Sequence, residues 1–363
     1  MELQHAVESD KTMLVEGPAS AMVVSGKIEV FGYQPRASAT ILVREGKRVP
    51  FFAVERAVLD VSLGANASIQ EVAGNTIPSS WNKTVEAVLG LRKKPVTVLV
   101  LGQIDSGKSS FCTYLLNKLF KVKCRVAVLD GDLGQSDIGP SGTVGYGLIS
   151  KPVAQLSNLK LQNAFFVGVT SPNVAIAEII EGLAALKIEV LQTFVDFVVI
   201  NTDGWVTGDL AIKYKTALIQ KLKPDVIVGV QIKDELEKLI ANLDIPVITV
   251  EPSPFLSPRT AENRKRLREM TYSRYLKGAK LECYPLSQVT VEPRNAIPKT
   301  QLPEKGLLVG LYGKANIFLG IGVLRKIDPL RKILKIQTAV SAKPLRIVVG
   351  KVFLDRKLRE IQD

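Results

Sequence analysis

The octet Gly102-Gln103-Ile104-Asp105-Ser106-Gly107-Lys108-Ser109, followed by Ser110, fits G-x-x-x-x-G-K-[ST] at every fixed position. A triphosphate needs several donors converging on its oxygens, and a tightly wound glycine loop turns backbone N–H groups inward with no side chain in the way. Lys108 then supplies a point charge to the β- and γ-phosphates, and the Ser109 hydroxyl suits Mg2+. A helix opening at this point presents its positive end to the same anion. The bland alternative is a Gly-rich turn that binds nothing. Context argues against it, because the apolar run Val96 to Leu101 reads as a strand buried on both faces, and Lys108 to Phe120 reads as a helix with Phe111, Leu115 and Leu119 on one side.

A second cluster, Asp130-Gly131-Asp132-Leu133-Gly134-Gln135, follows the strand pattern Arg125–Leu129. Carboxylates at the carboxyl end of a strand beside a phosphate loop can hold Mg2+ or its water shell, and one of them can take a proton from a nucleophile. The plain alternative is a solvated turn. Trp205 closes a third loop, Asn201-Thr202-Asp203-Gly204-Trp205, where an indole can stack on a base or sit half-buried in the core. That loop lacks the lysine of the guanine-reading N-K-x-D pattern, which weakens a GTPase reading. Pro258 to Lys280 carries eight Lys/Arg against two Glu. It is either a solvated helix face or a lid whose arginines reach a transferring phosphoryl group, with Arg259 just before the helix and Arg264 five residues on.

The elements that must position these groups fall into three parts. Short strands at Thr12–Glu16, Ala21–Phe31, Ala39–Val43, Pro50–Val54, Val58–Leu63 and Ser68–Val72 predict a small β-sandwich over residues 1–80. Residues 81–280 alternate strands and helices, as in a doubly wound, mostly parallel sheet of the P-loop NTPase type: a helix at Asn82–Leu91, strands at Ala164–Thr170, Phe194–Asn201, Val226–Gln231 and Val247–Val250, and a long helix at Val174–Leu191. Every marked loop then follows a strand's carboxyl end, so all converge on one edge. Residues 281–363 return to strands, at Gln288–Val291, Leu307–Tyr312, Ile317–Lys326, Lys332–Thr338 and Arg346–Phe353. Glycines at 310, 313, 320 and 322 suggest tight bends in a barrel-like module, and basic residues from Arg325 to Arg359 suggest a phosphate-backbone surface.

Composition narrows the class. A chain of 363 residues exceeds the ~250 at which single cores stop growing, so it divides into domains. The net charge of +13 and a pI near 9.5 favour a polyanionic partner such as nucleic acid, a merely soluble basic surface being the alternative. No opening segment has the layout of a secretion signal and no apolar run approaches ~18 residues, which predicts a soluble, cytoplasmic protein without a membrane partner. Cys112, Cys124 and Cys283 have no metal-ligand spacing and read as reduced thiols. With His5 the lone histidine, chemistry resting on a His base or a His-rich metal site is nearly excluded.

Taken together, GQIDSGKSS, DGDLGQSDIGPSGT, TSP, INTDGW and the paired arginines of PRTAENR resemble the polynucleotide 5′-hydroxyl kinase family, in its short archaeal form, over about Trp81 to Lys280. The resemblance implies that residues 102–109 bind ATP, with Lys108 on the phosphates and Ser109 on Mg2+. It makes Asp132 the carboxylate that activates a 5′-hydroxyl, gives Asp130 a share of the metal and places Gln135 in the site. Thr170 and Ser171 take the place of a clasp on the nucleic-acid end that also restrains the loop lysine, Trp205 stacks on the terminal base, and Arg259 and Arg264 are the lid arginines. Glu16 is the candidate for a glutamate near the adenine. The clasp departs from the family's T-x-P-x-x-N, since Ala175 stands at the final position and Asn173 two residues earlier. The expected activity is transfer of the ATP γ-phosphoryl to the 5′-hydroxyl of RNA, with DNA as a second acceptor, on single strands or duplex ends. An RNA-processing scaffold that holds ATP without catalysis and an ATPase switch are the competing readings.

Overall fold

The computed structural model describes residues 2–241, 243–256, 258–293 and 305–361. Its first sheet contains β1 (Glu2–Val7), β2 (Lys11–Glu16), β3 (Ala19–Glu29), β4 (Thr40–Val43), β5 (Arg48–Leu63) and β6 (Ser68–Ala73), in the order β4-β3-β5-β2-β6 with β1 also on β5. The pairings trace one connected sheet. The two strands expected at Pro50–Val54 and Val58–Leu63 are a single strand, β5, whose first part pairs with β2 and whose second part pairs with β1. The intervening Glu55-Arg56, which reads as a break, is exposed and engaged by Lys27 of β3 and by Glu8, just past the end of β1.

The central sheet has the order β10-β9-β8-β11-β7-β12-β13. Its strands are β7 (Val96–Gly102), β8 (Val126–Asp130), β9 (Thr143–Leu148), β10 (Leu161–Phe166), β11 (Phe197–Asn201), β12 (Val226–Val230) and β13 (Val247–Val250). All run parallel except β9, which is antiparallel to both neighbours. The helices are α1 (Ser79–Leu89), α2 (Lys108–Lys121), α3 (Ile176–Leu191), α4 (Asp209–Leu222) and the short α5 (Glu237–Ile240). Every residue of β7, β8, β11 and β12 is buried, as both-face coverage by helices demands. Val96, Val98 and Val100 join the core on the side of α2 and the first sheet, whereas Leu99 and Leu101 join the core of α3 and α4. β9 was not anticipated, because Gly145 and Gly147 interrupt its apolar run; at Gly145 a Cβ would stand 2.9 Å from Leu161. The extra reversal restores direction, so β10 runs with β8 and the chain after it still emerges at the edge where Thr170 was expected.

After α6 (Ala261–Tyr275) come β14 (Lys280–Pro285), β15 (Thr290–Pro293), β16 (Leu307–Tyr312), β17 (Phe318–Asp328), β18 (Ile333–Thr338), β19 (Arg346–Leu354) and β20 (Glu360–Ile361). They form an open sheet in the order β14-β18-β17-β16-β19-β15, with β20 on β19. The expected barrel is therefore corrected: among the described residues no pairing joins β14 to β15. Gly310 also has another role than the bend assigned to it. A Cβ there would lie 2.5 Å from the Phe166 ring, and one at Gly350 would lie 2.6 Å from the Gly168 carbonyl, so these glycines let the third sheet close on the second. The Tyr312 hydroxyl accepts from the Phe166 N–H at 2.6 Å across the same contact. Among the described residues no helix is long and apolar enough to cross a membrane.

Trp81 fixes α1 against the helix that follows the phosphate loop. It is fully buried, meets Phe111 and Tyr114 edge-on at centroid distances of 5.4 and 5.6 Å, and donates its indole N–H to the Glu251 carbonyl at 2.7 Å. Trp81→Ala removes all of this and is expected to cost about 3–5 kcal/mol, read as a fall in the urea unfolding midpoint, with Trp81→Phe costing distinctly less.

Candidate active site

A cleft of about 460 Å³ opens at the carboxyl edge of the central sheet, between the phosphate loop, the first sheet and the start of α6. The loop takes left-handed backbone at Asp105 (φ 58°) and Gly107 (φ 90°) before α2 begins. Gly102 passes so close to β12 that a Cβ would meet the Val230 carbonyl at 2.5 Å. The Ser106 hydroxyl is buried with no partner among the described residues, and the N–H groups opening α2 face the same concavity, a donor set that fits a triphosphate. Lys108 donates to the Gln103 carbonyl at 2.6 Å and is nearly buried. Burial pulls its pKa down to about 8, against the opposing charges of Asp132 and Asp203. The hydrogen bond that restrains the lysine is thus to the loop itself, not to Thr170 or Ser171.

Asp132 stands at the cleft wall. Its Oδ1 accepts the N–H groups of Gly134 (3.1 Å) and Gln135 (2.9 Å), and Oδ2 has no hydrogen bond among the described residues. Its carboxyl is raised by burial and by Asp203. Gln135 donates to the Arg264 carbonyl at 3.1 Å and accepts from Arg259 at 3.5 Å, so this loop and α6 meet directly. Arg259 and Arg264 do converge on the cleft, through a partner not foreseen: Asp105 of the phosphate loop. Asp105 Oδ2 accepts the Arg259 N–H at 2.9 Å and lies 3.3 Å from Arg264 Nη1. Thr260 caps α6 by accepting the Asn263 N–H at 3.1 Å.

Thr170, Ser171 and Trp205 also line the cleft. The Thr170 carbonyl is 3.0 Å from where a Gly134 Cβ would be, and the Ser171 hydroxyl donates to Asn173 at 2.7 Å. Gly204 presses on the phosphate loop, since a Cβ there would lie 2.4 Å from the Ile104 nitrogen. Trp205 is half-buried, 6.0 Å from the Tyr214 ring, and its N–H donates to Asp203 at 3.0 Å. Ile104 and Ser110 also reach the cleft.

Two expectations are corrected. Asp130 does not line the cleft: it is fully buried, and its oxygens accept the Asn201 amide (3.1 Å) and the N–H groups of Asp137 (2.6 Å) and Ile138 (3.2 Å), so it holds a loop instead of facing a metal. Glu16 likewise stays off the cleft wall, paired with Arg48 at 2.7 Å; Arg48 itself, with Leu14 and Pro50, forms that wall. Among the described residues no group of three His, Cys, Asp or Glu forms a metal cage. Mg2+ carried on a nucleotide needs only one or two protein ligands, and Ser109 and Asp132 both line the cleft.

Three groups escaped the sequence reading. Asn201 links Asp130 to Ser109 (3.4 Å). Asp137 is buried, which opposes ionisation, yet Lys47 at 2.6 Å, helped by Arg259 and Ser109, holds its carboxyl below the usual range. Lys215, fully buried on α4, binds Asp203 Oδ2 at 2.8 Å beside the Tyr214 hydroxyl, also at 2.8 Å. A signal for Lys215 existed: Ala211, Lys215, Leu218 and Leu222 share one helical face.

Residues 102–278 match the family described as mRNA cleavage and polyadenylation factor CLP1 P-loop. A polyribonucleotide 5′-hydroxyl-kinase of Thermococcus kodakarensis is 31% identical over 217 residues, 59% of this chain and 61% of that protein. Another, of Pyrococcus furiosus, is 29% identical over 238 residues, 65% of this chain and 66% of that one. Over its central residues the chain is similar to these polynucleotide 5′-hydroxyl-kinases. A third archaeal kinase of that name, of Methanocaldococcus jannaschii, aligns over 74% of this chain and 90% of its own length at 24% identity. The solved complex of Clp1p with Pcf11p residues 454–563 shares the fold, with a TM-score of 0.78, 14% identity and coverage of 97% and 98% of the two chains.

The buried lysine predicts an ATP affinity that depends on pH. A triphosphate favours charged Lys108 and raises its pKa on binding, so affinity is fully present below a free-state pKa of about 8 and lost above it. Calorimetric titration from about pH 7 to about pH 9.5 should show the dissociation constant rising roughly tenfold per unit once past that pKa. A flat profile would contradict this assignment.

Proposed function

We propose that this chain is an ATP- and Mg2+-dependent kinase that moves the γ-phosphoryl group of ATP to the 5′-hydroxyl of an RNA strand, and accepts DNA as a second substrate. The observation that carries the reading is the meeting in one cleft of the phosphate loop, Asp132, Arg259 and Arg264, and Trp205 with Thr170 and Ser171. Curated archaeal relatives named polyribonucleotide 5′-hydroxyl-kinases support it. The three sheets support a division into residues 1–80, 81–280 and 281–363.

Asp132 receives the hydroxyl proton on Oδ2 as the 5′-oxygen forms its bond to the γ-phosphorus, and the bond to the bridging oxygen of ADP breaks. A raised carboxyl suits a base that must later release that proton. Lys108 moves from the Gln103 carbonyl to the phosphates, while Arg259 and Arg264 exchange Asp105 for the equatorial oxygens, where the transition state spreads its charge. Ser109 and Asp132 would hold Mg2+, which would neutralise phosphate charge. Trp205 offers its exposed face to the terminal base, and Gln135 and Thr170 bracket the strand end.

Asp132→Asn should lower kcat for labelled phosphate transfer to a 5′-hydroxyl oligoribonucleotide by about 10²–10⁴ while ATP affinity changes little. Trp205→Ala should raise KM for the oligonucleotide about tenfold and leave KM for ATP near its starting value. ATP hydrolysis that ignores the acceptor and survives Asp132→Asn would favour the switch reading, and ATP binding without transfer the scaffold reading.

A further inference from the structure

A second cavity, of about 370 Å³, lies beyond Gln135, between the β4–β5 turn, the loop that follows Asp132 and the far half of α6. It shares Lys47, Gly134, Gln135, Arg259 and Arg268 with the cleft, Lys47 being paired with Asp137 and Arg268 with Glu360, but no residue of the phosphate loop lines it. It therefore opens from the acceptor side and not from the nucleotide side.

Its charge is unbalanced. The two carboxylates on its wall are already taken, Glu45 by Arg266 at 2.8 Å and Asp137 by Lys47 at 2.6 Å. Arg44 and Arg274 face it, and among the described residues neither has a carboxylate within ion-pair distance. Arg44 is held by the Ser157 carbonyl at 2.8 Å, and the Arg274 guanidinium lies 4.8 Å from the Tyr275 ring centroid, so both are positioned without being neutralised. Burial, followed by the neighbouring charge of Arg274, lowers the pKa of Arg44. On the same wall Ser157 is nine-tenths buried and its hydroxyl has no partner among the described residues; the Nε of Arg259, on a side chain that is 22% exposed, has none there either. Two guanidinium groups that repel each other beside orphaned donors form a site that an anion completes.

We propose that this cavity is a subsite for an internucleotide phosphate of the acceptor strand, one or two nucleotides from the 5′ end, taken by Arg44 and Arg274 with the Ser157 hydroxyl. The inference rests on the kinase reading, because it needs the 5′ end to lie beside Asp132. A phosphodiester suits the place: it is singly charged at every working pH, it offers two free oxygens to guanidinium forks, and the strand delivers it at a fixed distance from the terminus.

The test compares a 5′-hydroxyl tetraribonucleotide with the same tetramer carrying neutral methylphosphonates at its first two linkages. For the charged tetramer, Arg274→Ala, on the exposed side of α6, and Arg44→Gln should each raise KM about tenfold. For the neutral tetramer each should raise it less than about twofold, and Arg44→Lys should recover part of the loss. Equal effects on both tetramers, or none on either, would overturn the subsite, as would inhibition by inorganic phosphate that Arg274→Ala relieves while the linkage dependence is absent. Failure of the unaltered protein to phosphorylate either tetramer would instead count against the kinase reading itself.

Discussion

The register of β11 between its parallel neighbours governs the site. Asn201 pairs across with Asp130 on β8 and Val100 on β7, at the edge where all three strands end. From there its amide reaches Asp130 at 3.1 Å and Ser109 at 3.4 Å, joining the end of one strand to the start of α2. Asp130 in turn gathers the N–H groups of Asp137 and Ile138, and the loop so pinned carries Asp132 and Gln135. A slip of one residue in β11 would turn Asn201 to the other face and leave a fully buried carboxyl short of its donor. Burial, with the charges of Asp137 and Asp132, already raises Asp130 to about 7, so this network has little tolerance for a lost hydrogen bond.

Around that fixed frame the cations are held by weak or temporary partners. Lys108 rests on a carbonyl, and the two lid arginines share the single carboxylate of Asp105 at 3.3–4.0 Å. A nucleotide triphosphate would bring several negative charges to the same spot, where it would compete with one carboxylate and one carbonyl. The permanent anchor of α6 lies elsewhere, in the Arg268 fork on Glu360 and the Tyr275 hydroxyl on the Ile138 carbonyl. The helix can therefore change what its first turn grips while its far end stays seated.

Much of this was legible in the sequence because its signals are local. The phosphate loop, the strand before it, and the loops at Asp132, Thr170 and Trp205 follow from apolar runs and small-residue turns, and all of them meet in the cleft. What the sequence hid is set by pairing over distance. Asp130 and Asp132 are chemically equal two residues apart, and only the donors of residues 137 and 138 decide that one is a strut and the other faces the cleft. Glu16 lies near the right place, but Arg48 on the neighbouring strand takes its charge. Closure of a barrel likewise depends on whether the end strands meet, which no run of residues between Lys280 and Ile361 encodes locally.

Net charge was the least localised of the signals, and the structure redistributes it. The basic residues of the carboxyl-terminal sheet looked like a phosphate surface, yet several are committed within it. Arg325 binds Gln337 at 2.8–2.9 Å, Arg346 pairs with Glu292 at 3.0 Å over the Tyr312 ring, and Arg359 pairs with Asp355 at 2.9 Å. Cations with spare capacity lie instead beside Gln135, where Arg44, Arg259 and Arg274 border two connected cavities. An excess of +13 says only that a polyanion is favoured. Its uneven neutralisation leaves guanidinium groups without a carboxylate partner among the described residues beside Gln135, next to the cleft.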